Sequence, residues 1–471
     1  MSVKAIVGGA VITMDPDRRI IDDGVVVVED QHISAVGPAS EVRPPRGSRI
    51  IDASGMAVLP GLINCHTHVP QILLRGYAAN EGRRVWDWLT NVVHPGLAAY
   101  GPGDIRTAAR LYSVEAIRSG MTSFVDNEDG WPDDTVSAIG QAIAAYSEAG
   151  VRAMVARMMF DEQPDHLADM IRSLRQKEPQ VVHVDNWRPT DRLLSDLDRL
   201  VRTYNGTAGG RIQVWPSPVG TLICSDTMFE TSRRLARDNG TMWTIHLVQG
   251  PAGVESPGPS STEDLLARGH LDRRLLAGHC VGLSPRDIRI LRDADVKGCT
   301  QVVSNCFLAM GVAPVPDLLR AGMSLAVGTD DVNCNGTVNL FSDLKTLILV
   351  HRALADDPAA LTADQALEMA TINGARAVGM EKEIGSIETG KRADIILVDL
   401  GHAQTTPTHH LPSAMVFQTY GNEVDTVLID GKIVMRNRQL SWLTAAEERA
   451  LYRDAAERSA AISVRAGIRS R

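Results

Sequence analysis

VLPGLINCHTH, residues 58–68, is the most informative stretch of the 471-residue chain, because an apolar run ends there in two histidines one residue apart. Side chains at positions i and i+2 of an extended strand point to the same face. His66 and His68 can therefore act together on one ligand. Parallel α/β barrels place their functional groups at the carboxyl ends of their strands, and this segment has that form.

Seven further β-rich segments follow, and helical stretches with apolar residues at three- and four-residue spacing separate most of them. These segments are 121–127, 151–160, 211–219, 241–247, 274–281, 296–305 and 323–331. Buried strands that alternate with helices are typical of a parallel sheet, and eight such strands close a barrel. We therefore expect an α/β protein built on a (β/α)8 TIM barrel.

The two ends of the chain have a different pattern. Short β-rich segments separated by Asp, Gly or Pro fill the first 58 residues and return after Met380, as in hairpins. This pattern predicts a small β-sandwich domain built from both chain ends. The predicted divisions are 1–58 and 381–443 for the sandwich, 59–380 for the barrel, and 444–471 for an amphipathic C-terminal helix. This helix either packs on a neighbour or covers the surface, and the surface position is favoured.

Charge and cysteine content exclude several classes of protein. The 48 Lys and Arg residues against 57 Asp and Glu residues give a net charge of −9, which argues against a nucleic-acid or acidic-membrane partner. The six cysteines contain no CxxC pair, so neither a disulfide framework nor a zinc finger is indicated. No apolar run approaches the roughly 20 residues that cross a bilayer. We expect a cytoplasmic protein that binds neither nucleic acid nor membrane.

Other potential metal ligands end further strands of the predicted barrel. His246 ends the fifth strand, His279 the sixth and Asp330 the eighth. A single histidine at a strand end is more often a structural residue, but five such groups on one rim indicate a metal site. Three imidazoles and a carboxylate, with a fourth imidazole adjacent, suit Zn(II) or Fe(II) with one position left for water.

The quoted segment, together with TIHL, LAGHC, GTDD and the later GSIETGKRADIILVD, resembles the amidohydrolase superfamily. HVPQILLRG, GTAGGRIQVWPSP, EMATINGARAVGM and FQTYGNEVDTVLIDG are similar to its atrazine chlorohydrolase and melamine deaminase branch. The resemblance implies one divalent metal per subunit, held by a set of four ligands: His66, His68, His246 and Asp330. It also implies that His279 contacts the metal-bound water, that Asp330 takes its proton, and that the protein is a homo-oligomer, dimer or higher.

The resemblance also implies the reaction. A metal-bound hydroxide adds to an electron-poor ring carbon of a small N-heterocycle, such as an s-triazine or a pyrimidine, and displaces an amino or alkylamino substituent. The alternative is hydrolytic dechlorination of a chloro-s-triazine-like ring by the same site. Superfamily members with two metals usually use a carboxylated lysine of strand four, and residues 211–219 contain no lysine. A catalytically silent scaffold of the same fold is a remote third possibility. Such proteins usually lack metal ligands, and here all of the implied ligands are present.

Three residues bear on the leaving group. Gln249 stands where members of the branch commonly carry a glutamate that protonates a ring nitrogen. Because an amide cannot deliver a proton, this residue favours chloride as the leaving group. Asp331 and Cys334 match the deaminase instead, and Asp331 could pass a proton to a departing amine. The alternatives are a helix cap for Asp331 and a buried apolar position for Cys334. On balance the sequence favours C–N cleavage.

Further residues are predicted to bind the substrate. Gln71, Trp86 and Trp88 follow strand one, where indole faces can stack on a flat ring and an amide can orient it; ordinary core packing is the alternative for the tryptophans. Ser304 and Asn305, at the end of predicted strand seven, either face the substrate or tie down a loop. Segments 80–92 and 248–262 are expected to set specificity.

Overall fold

The amino-terminal strands belong to a sheet that lies beside the barrel. The computed structural model describes residues 3–77, 79–128, 135–185, 187–249 and 259–469. Residues 250–258 of the predicted specificity segment 248–262 lie outside this set. The first five strands are β1 (Val3–Ile12), β2 (Ile20–Glu29), β3 (His32–Pro38), β4 (Arg49–Asp52) and β5 (Met56–Pro60).

The next eight strands form the barrel. They are β6 (Leu62–Thr67), β7 (Met121–Glu128), β8 (Arg152–Met159), β9 (Ile212–Pro218), β10 (Trp243–Val248), β11 (Leu275–Val281), β12 (Lys297–Thr300) and β13 (Leu325–Val327). Strands β6 to β9 pair in parallel in chain order, and so do β10 to β13. The two halves join where the His246 N–H donates to the Val219 carbonyl at 2.8 Å and where Thr67 forms a parallel bridge with Asp330. The fold is of the TIM-barrel type.

Both ends of the chain share one further sheet. Its late strands are β14 (Ile395–Asp399), β15 (Val424–Ile429), β16 (Lys432–Arg436) and β17 (Gln439–Leu440). The strand order is β17-β16-β15-β14-β5-β1-β2-β3, with β4 beside β1. Strand β5 pairs in parallel with β1 and antiparallel with β14, so it links the early strands to the late ones.

Helices connect and cover the strands. The longer α-helices are Asp104–Arg118, Thr135–Ala149, Asp165–Lys177, Thr190–Tyr204, Asp226–Asp238, Pro285–Asp293, Leu340–Ala355 and Ala445–Ala466. Shorter α-helices span Val85–Trp88, His94–Ala98, Thr207–Gly210, Ser261–Ala267, Val302–Phe307, Val315–Arg320, Val332–Asn335, Ala363–Met369, Ile372–Ala377 and Leu411–Phe417. Val69–Leu74 and Ala403–Thr405 are 3-10 helices, and Leu89–Val93 is a π-helix. Local sequence explains many helix starts: Ser284 and Asp287 form a capping box around Pro285.

A buried ion cluster fixes the barrel to the nine-stranded sheet. Arg152 of β8 is 1% exposed, and its Nε lies 3.1 Å from an Asp394 oxygen while its Nη2 lies 2.7 Å from an Asp430 oxygen. Asp430 also binds Arg392 and Arg211. Because each buried carboxylate has a cationic partner, the cluster is electrostatically satisfied.

The C-terminal helix packs against helices of the barrel. Helix Ala445–Ala466 begins after the Thr444 cap, and its Glu448 pairs with Arg118 at 2.8 Å. Among the residues the structure describes, no helix is both long and apolar enough to cross a membrane.

The seventh barrel strand is shorter than its predicted range of 296–305. Strand β12 ends at Thr300, and a helix, Val302–Phe307, carries Ser304 and Asn305. The two valines that suggested a strand lie inside this helix, where the Asn305 N–H donates to the Gln301 carbonyl at 2.9 Å. Tertiary context thus overrides their β propensity.

Candidate active site

Four of the predicted ligands converge at the carboxyl ends of the barrel strands. The Nε2 atoms of His68 and His246 lie 3.4 Å apart, and Asp330 Oδ1 lies 3.3 Å from His66 Nε2 and 3.5 Å from His68 Nε2. Ligands held about 2.1 Å from a tetrahedral ion are about 3.4 Å from one another. His66 Nε2 and Asp330 Oδ1 are buried without a hydrogen-bond partner. The cluster therefore fits a divalent metal ion.

His279 lies on the other side of the same carboxylate. Its Nε2 is 4.0 Å from Asp330 Oδ2, which also accepts a 2.6 Å hydrogen bond from Ser304 Oγ. Both His279 and Asp330 have left-handed backbone conformations, with φ of 65° and 60°. Non-glycine residues rarely adopt such angles, and they cluster at functional sites.

Polar neighbours orient the histidine rings. Asn127 Nδ2 lies 3.1 Å from His66 Nδ1, and Ser217 Oγ donates to Asn127 Oδ1 at 3.3 Å. Asn305 Oδ1 lies 2.9 Å from His279 Nδ1. A carbonyl oxygen accepts the proton of that ring nitrogen, so the Nε2 lone pair of His279 faces the cluster.

The environment selects the protonation states that a cation requires. Burial, together with the neighbouring His66, lowers the pKa of His68 to about 3, and burial and adjacent imidazoles also lower the pKa of His246. Burial acts to raise the pKa of Asp330, but His279 and His66 outweigh it and hold that pKa well below its usual value. Neutral imidazoles and an ionised carboxylate are the forms that bind metal.

A mostly apolar cavity of about 220 Å³ opens onto this cluster. Its lining includes four of the predicted substrate-binding residues, which are Gln71, Trp86, Trp88 and Asp331. Gln71 Oε1 is buried without a hydrogen-bond partner. One oxygen of Asp331 lies within 4.8 Å of both a His68 nitrogen and an Asp330 oxygen, so this second carboxylate stands beside the ligand cluster.

Three other predicted residues lie outside the cavity lining. The Gln249 amide donates to Thr262 Oγ1 at 2.9 Å. Asn305 lies behind His279, as described above. Cys334 is 4% exposed, and burial raises the pKa of its thiol well above the ordinary value.

Sequence reasoning missed much of the cavity wall. Phe160 and Trp187 form an edge-to-face pair with ring centroids 4.9 Å apart, and both line the cavity. Arg175, Leu222 and Met310 also line it. Four of these residues lie outside helices and strands, in segments that carry no periodic signal of burial: Phe160, Trp187, Leu222 and Met310. Arg175 lies on helix Asp165–Lys177, where its charge predicts an exposed position. Asn127 and Ser217 were missed as well, although both stand at the ends of barrel strands, a position that could have revealed them.

The model of the Amidohydrolase family matches residues 57–434 of the chain. The chain belongs to the amidohydrolase family. An S-triazine hydrolase of Gordonia rubripertincta is 41% identical, over 99% of this chain and 98% of that protein. A 5'-deoxyadenosine deaminase of Methanosarcina mazei is 33% identical, over 92% of this chain and 93% of that protein.

Solved structures agree with this amidohydrolase fold. A crystal structure of an adenosine deaminase from Xanthomonas campestris with bound zinc has a TM-score of 0.84 and 27% identity, covering 98% of each chain. The protein is thus an enzyme of the amidohydrolase family, and its His/Asp groups have the close spacing of a metal-binding cluster.

Proposed function

We propose that this amidohydrolase removes an amino or alkylamino substituent hydrolytically from an electron-poor N-heterocycle such as an s-triazine or a pyrimidine. The observation that carries the proposal is Asp331, a second carboxylate that lines the cavity beside the metal-binding cluster. An amine leaves a ring carbon readily only when it is protonated, and Asp331 is placed to supply that proton. The S-triazine hydrolase and the deaminases among the relatives support this chemistry.

We further propose that the cluster holds one divalent ion, Zn(II) or Fe(II), through four ligands: His66, His68, His246 and Asp330. When bound, such an ion lowers the pKa of a coordinated water toward neutrality and makes hydroxide available. The absence of lysine from residues 211–219 supports a single-ion site.

Different side chains of the site carry out the separate proton transfers. Asp330 is ionised and accepts the proton of the nucleophile at its carboxylate, where Ser304 Oγ fixes the Oδ2 atom. His279, held by Asn305, accepts a hydrogen bond at Nε2 and so orients the nucleophile toward the ring. Asp331 delivers a proton to the departing nitrogen from its protonated form, and the proton that Asp330 has taken from the nucleophile restores it, because oxygens of the two carboxyl groups lie within 4.8 Å of each other.

The cavity residues orient the ring. Trp86 and Trp88 provide flat apolar surfaces against which a heterocycle can stack. The unpartnered Oε1 of Gln71 can accept a hydrogen bond from an exocyclic N–H of the ring. Together these contacts would hold the reacting carbon over the ligand cluster.

A second candidate is displacement of chloride, and Gln249 favours it. An amide replaces the carboxyl that protonates the ring in related enzymes, and here it is engaged by Thr262. Chloride needs no proton to leave, so the same site could release it without an acid.

A competition experiment separates the two reactions. The metal-loaded enzyme receives equimolar amino- and chloro-substituted forms of one triazine, and ammonia, chloride and the hydroxylated product are measured together. We expect ammonia to dominate, whereas a predominance of chloride would replace the first candidate by the second. An Asp330→Asn variant is the control for background hydrolysis, and release of neither product would support a silent scaffold.

We also propose that the nine-stranded sheet is a small β-sandwich domain, formed by residues 1–58 and 381–443. Residues 59–380 then form the catalytic barrel, and residues 444–471 a C-terminal helix. The sharing of one sheet by both chain ends supports this division.

A further inference from the structure

A charged side chain interrupts the apolar wall of the active-site cavity. Arg175 of helix Asp165–Lys177 lines the same cavity as the metal ligands. Leu167 and Ile171 of that helix, together with Val184 and Trp187, line it too. An arginine side chain cannot lose its charge in a protein, so a guanidinium in such surroundings needs partners.

The protein supplies Arg175 with only part of its hydrogen bonding. Its Nη2 donates to the Val184 carbonyl at 2.5 Å, and its Nε is buried without a partner. Within residues 3–469 as far as the structure describes them, no carboxylate lies within 4.0 Å of this guanidinium. Arg172 on the same helix is different, because it is exposed and its Nη1 pairs with Asp169 at 2.7 Å.

The other polar groups of this part of the cavity do not neutralise Arg175. His94 lines the cavity, and burial followed by the nearby charge of Arg175 lowers its pKa to about 4, so the imidazole is neutral at physiological pH. Gln163, another polar side chain of the lining, is uncharged. An anion that entered the cavity would therefore meet one uncompensated positive charge with unused N–H donors.

We propose that Arg175 binds a carboxylate carried on a side arm of the substrate. The substrate class is then an N-heterocycle whose ring reacts at the metal-binding cluster and whose substituent ends in an acid group. A guanidinium binds a carboxylate through two parallel hydrogen bonds, for which the free Nε is available. The apolar residues around Arg175 would contact the arm. This inference rests on the proposed function for the identity of the ring.

The test uses pairs of amino-s-triazines whose alkylamino arms are equal in length and end in either a carboxylate or a carboxamide. Several arm lengths are tested, because the arm must span the distance between the ligand cluster and Arg175. The enzymes are the metal-loaded wild type, Arg175→Met, Arg175→Lys and the surface control Arg172→Met. For each, kcat/KM is measured with both members of a pair, and calorimetry measures binding of the two hydroxylated products.

We expect the wild type to prefer the carboxylate, in kcat/KM and in product binding, by about tenfold or more at one arm length, as for a charge-assisted hydrogen bond. Arg175→Met should abolish that preference and leave the carboxamide substrate within about twofold. Arg175→Lys should retain part of it, because the charge remains but the planar pair of donors is lost. Arg172→Met should behave as wild type.

Two results would overturn the inference. One is a wild type that does not distinguish carboxylate from carboxamide at any arm length, in turnover or in binding. The other is an Arg175→Met variant that loses both substrates equally, since that indicates a structural role. If the carboxamide substrates are hydrolysed without any preference, the proposed function stands and the subsite fails. If Arg175-dependent binding occurs without hydrolysis, the subsite stands and the proposed function fails.

Discussion

Replacing Asp331 by asparagine should separate the two leaving groups. The amide has the shape of the carboxyl but cannot donate an acidic proton. Asp331 is only 5% exposed and stands beside the ligand cluster, so bulk water is poorly placed to replace it. Removal of a general acid typically costs about 10²- to 10⁴-fold. We expect kcat/KM for an amino-triazine to fall by about 10²- to 10³-fold, or about 3–4 kcal/mol at ~1.4 kcal/mol per tenfold.

The corresponding chloro-triazine should lose less than about threefold, because chloride departs without a proton. Steady-state assays of ammonia and chloride release, at fixed metal content, measure both values. Asp343→Asn is a matched control, because Asp343 is also a buried carboxyl but does not line the cavity. An equal loss for both substrates in Asp331→Asn would refute the assignment of Asp331 as the acid for the amine.

Three further predictions concern the groups around the site. Asn305→Leu removes the oxygen 2.9 Å from His279 Nδ1 and should lower kcat by about 10- to 100-fold with unchanged metal content; unchanged kcat would exclude a positioning role. Arg152→Met leaves two buried carboxylates with less compensation and should lower the free energy of unfolding in urea by about 3–5 kcal/mol, whereas a change below ~1 kcal/mol would contradict the buried network. In metal-free protein, the pKa of His68 is about 3 in the folded state against 6.5 ordinarily. Between these two pH values the unfolded chain therefore binds a proton that the folded protein does not bind. The free energy of unfolding should then fall as pH falls from about 6.5 toward 3, less steeply in His68→Asn, and a rise in that window would contradict the burial of neutral imidazoles.

The barrel could be predicted because its signals are local. Each buried strand is a short apolar run, and the runs are separated by amphipathic helices, so the number and order of strands follow from periodicity. The metal-binding cluster followed from the same pattern, because parallel strands bring their carboxyl ends to one rim. His66 and Asp330 are far apart in the sequence, yet strand order alone places them at neighbouring ends.

The helical position of Asn305 could not be predicted by these means. The neighbouring valines favour a strand, and only the packed structure shows a helix that brings the amide to His279. The expectation that Asn305 faces the substrate or ties a loop stays a prediction, and its contact with His279 suggests the positioning role tested above. The homo-oligomeric state likewise stays a prediction.

The cavity wall could not be predicted because connecting segments have no fixed period. Phe160 and Trp187 lie outside helices and strands, and nothing in their spacing indicates that they face a common space. Arg175 lies on helix Asp165–Lys177, where a charged side chain is expected to face solvent. The ion cluster around Arg152 could not be predicted from the sequence either. Its carboxylates come from the far end of the chain, and charge pairing between such distant positions leaves no pattern in one sequence.

The central claim is that one ion held by the His/Asp cluster supports hydrolytic release of a ring amine. The most direct measurement is a titration of metal-free enzyme with Zn(II), followed by ammonia release from an amino-triazine in isotopically labelled water. Activity should rise in proportion to bound metal, stop rising at one equivalent per chain, and place one labelled oxygen on the ring, while Asp330→Asn stays inactive. Full activity without metal, or a hydroxylated product whose oxygen does not come from water, would contradict the account.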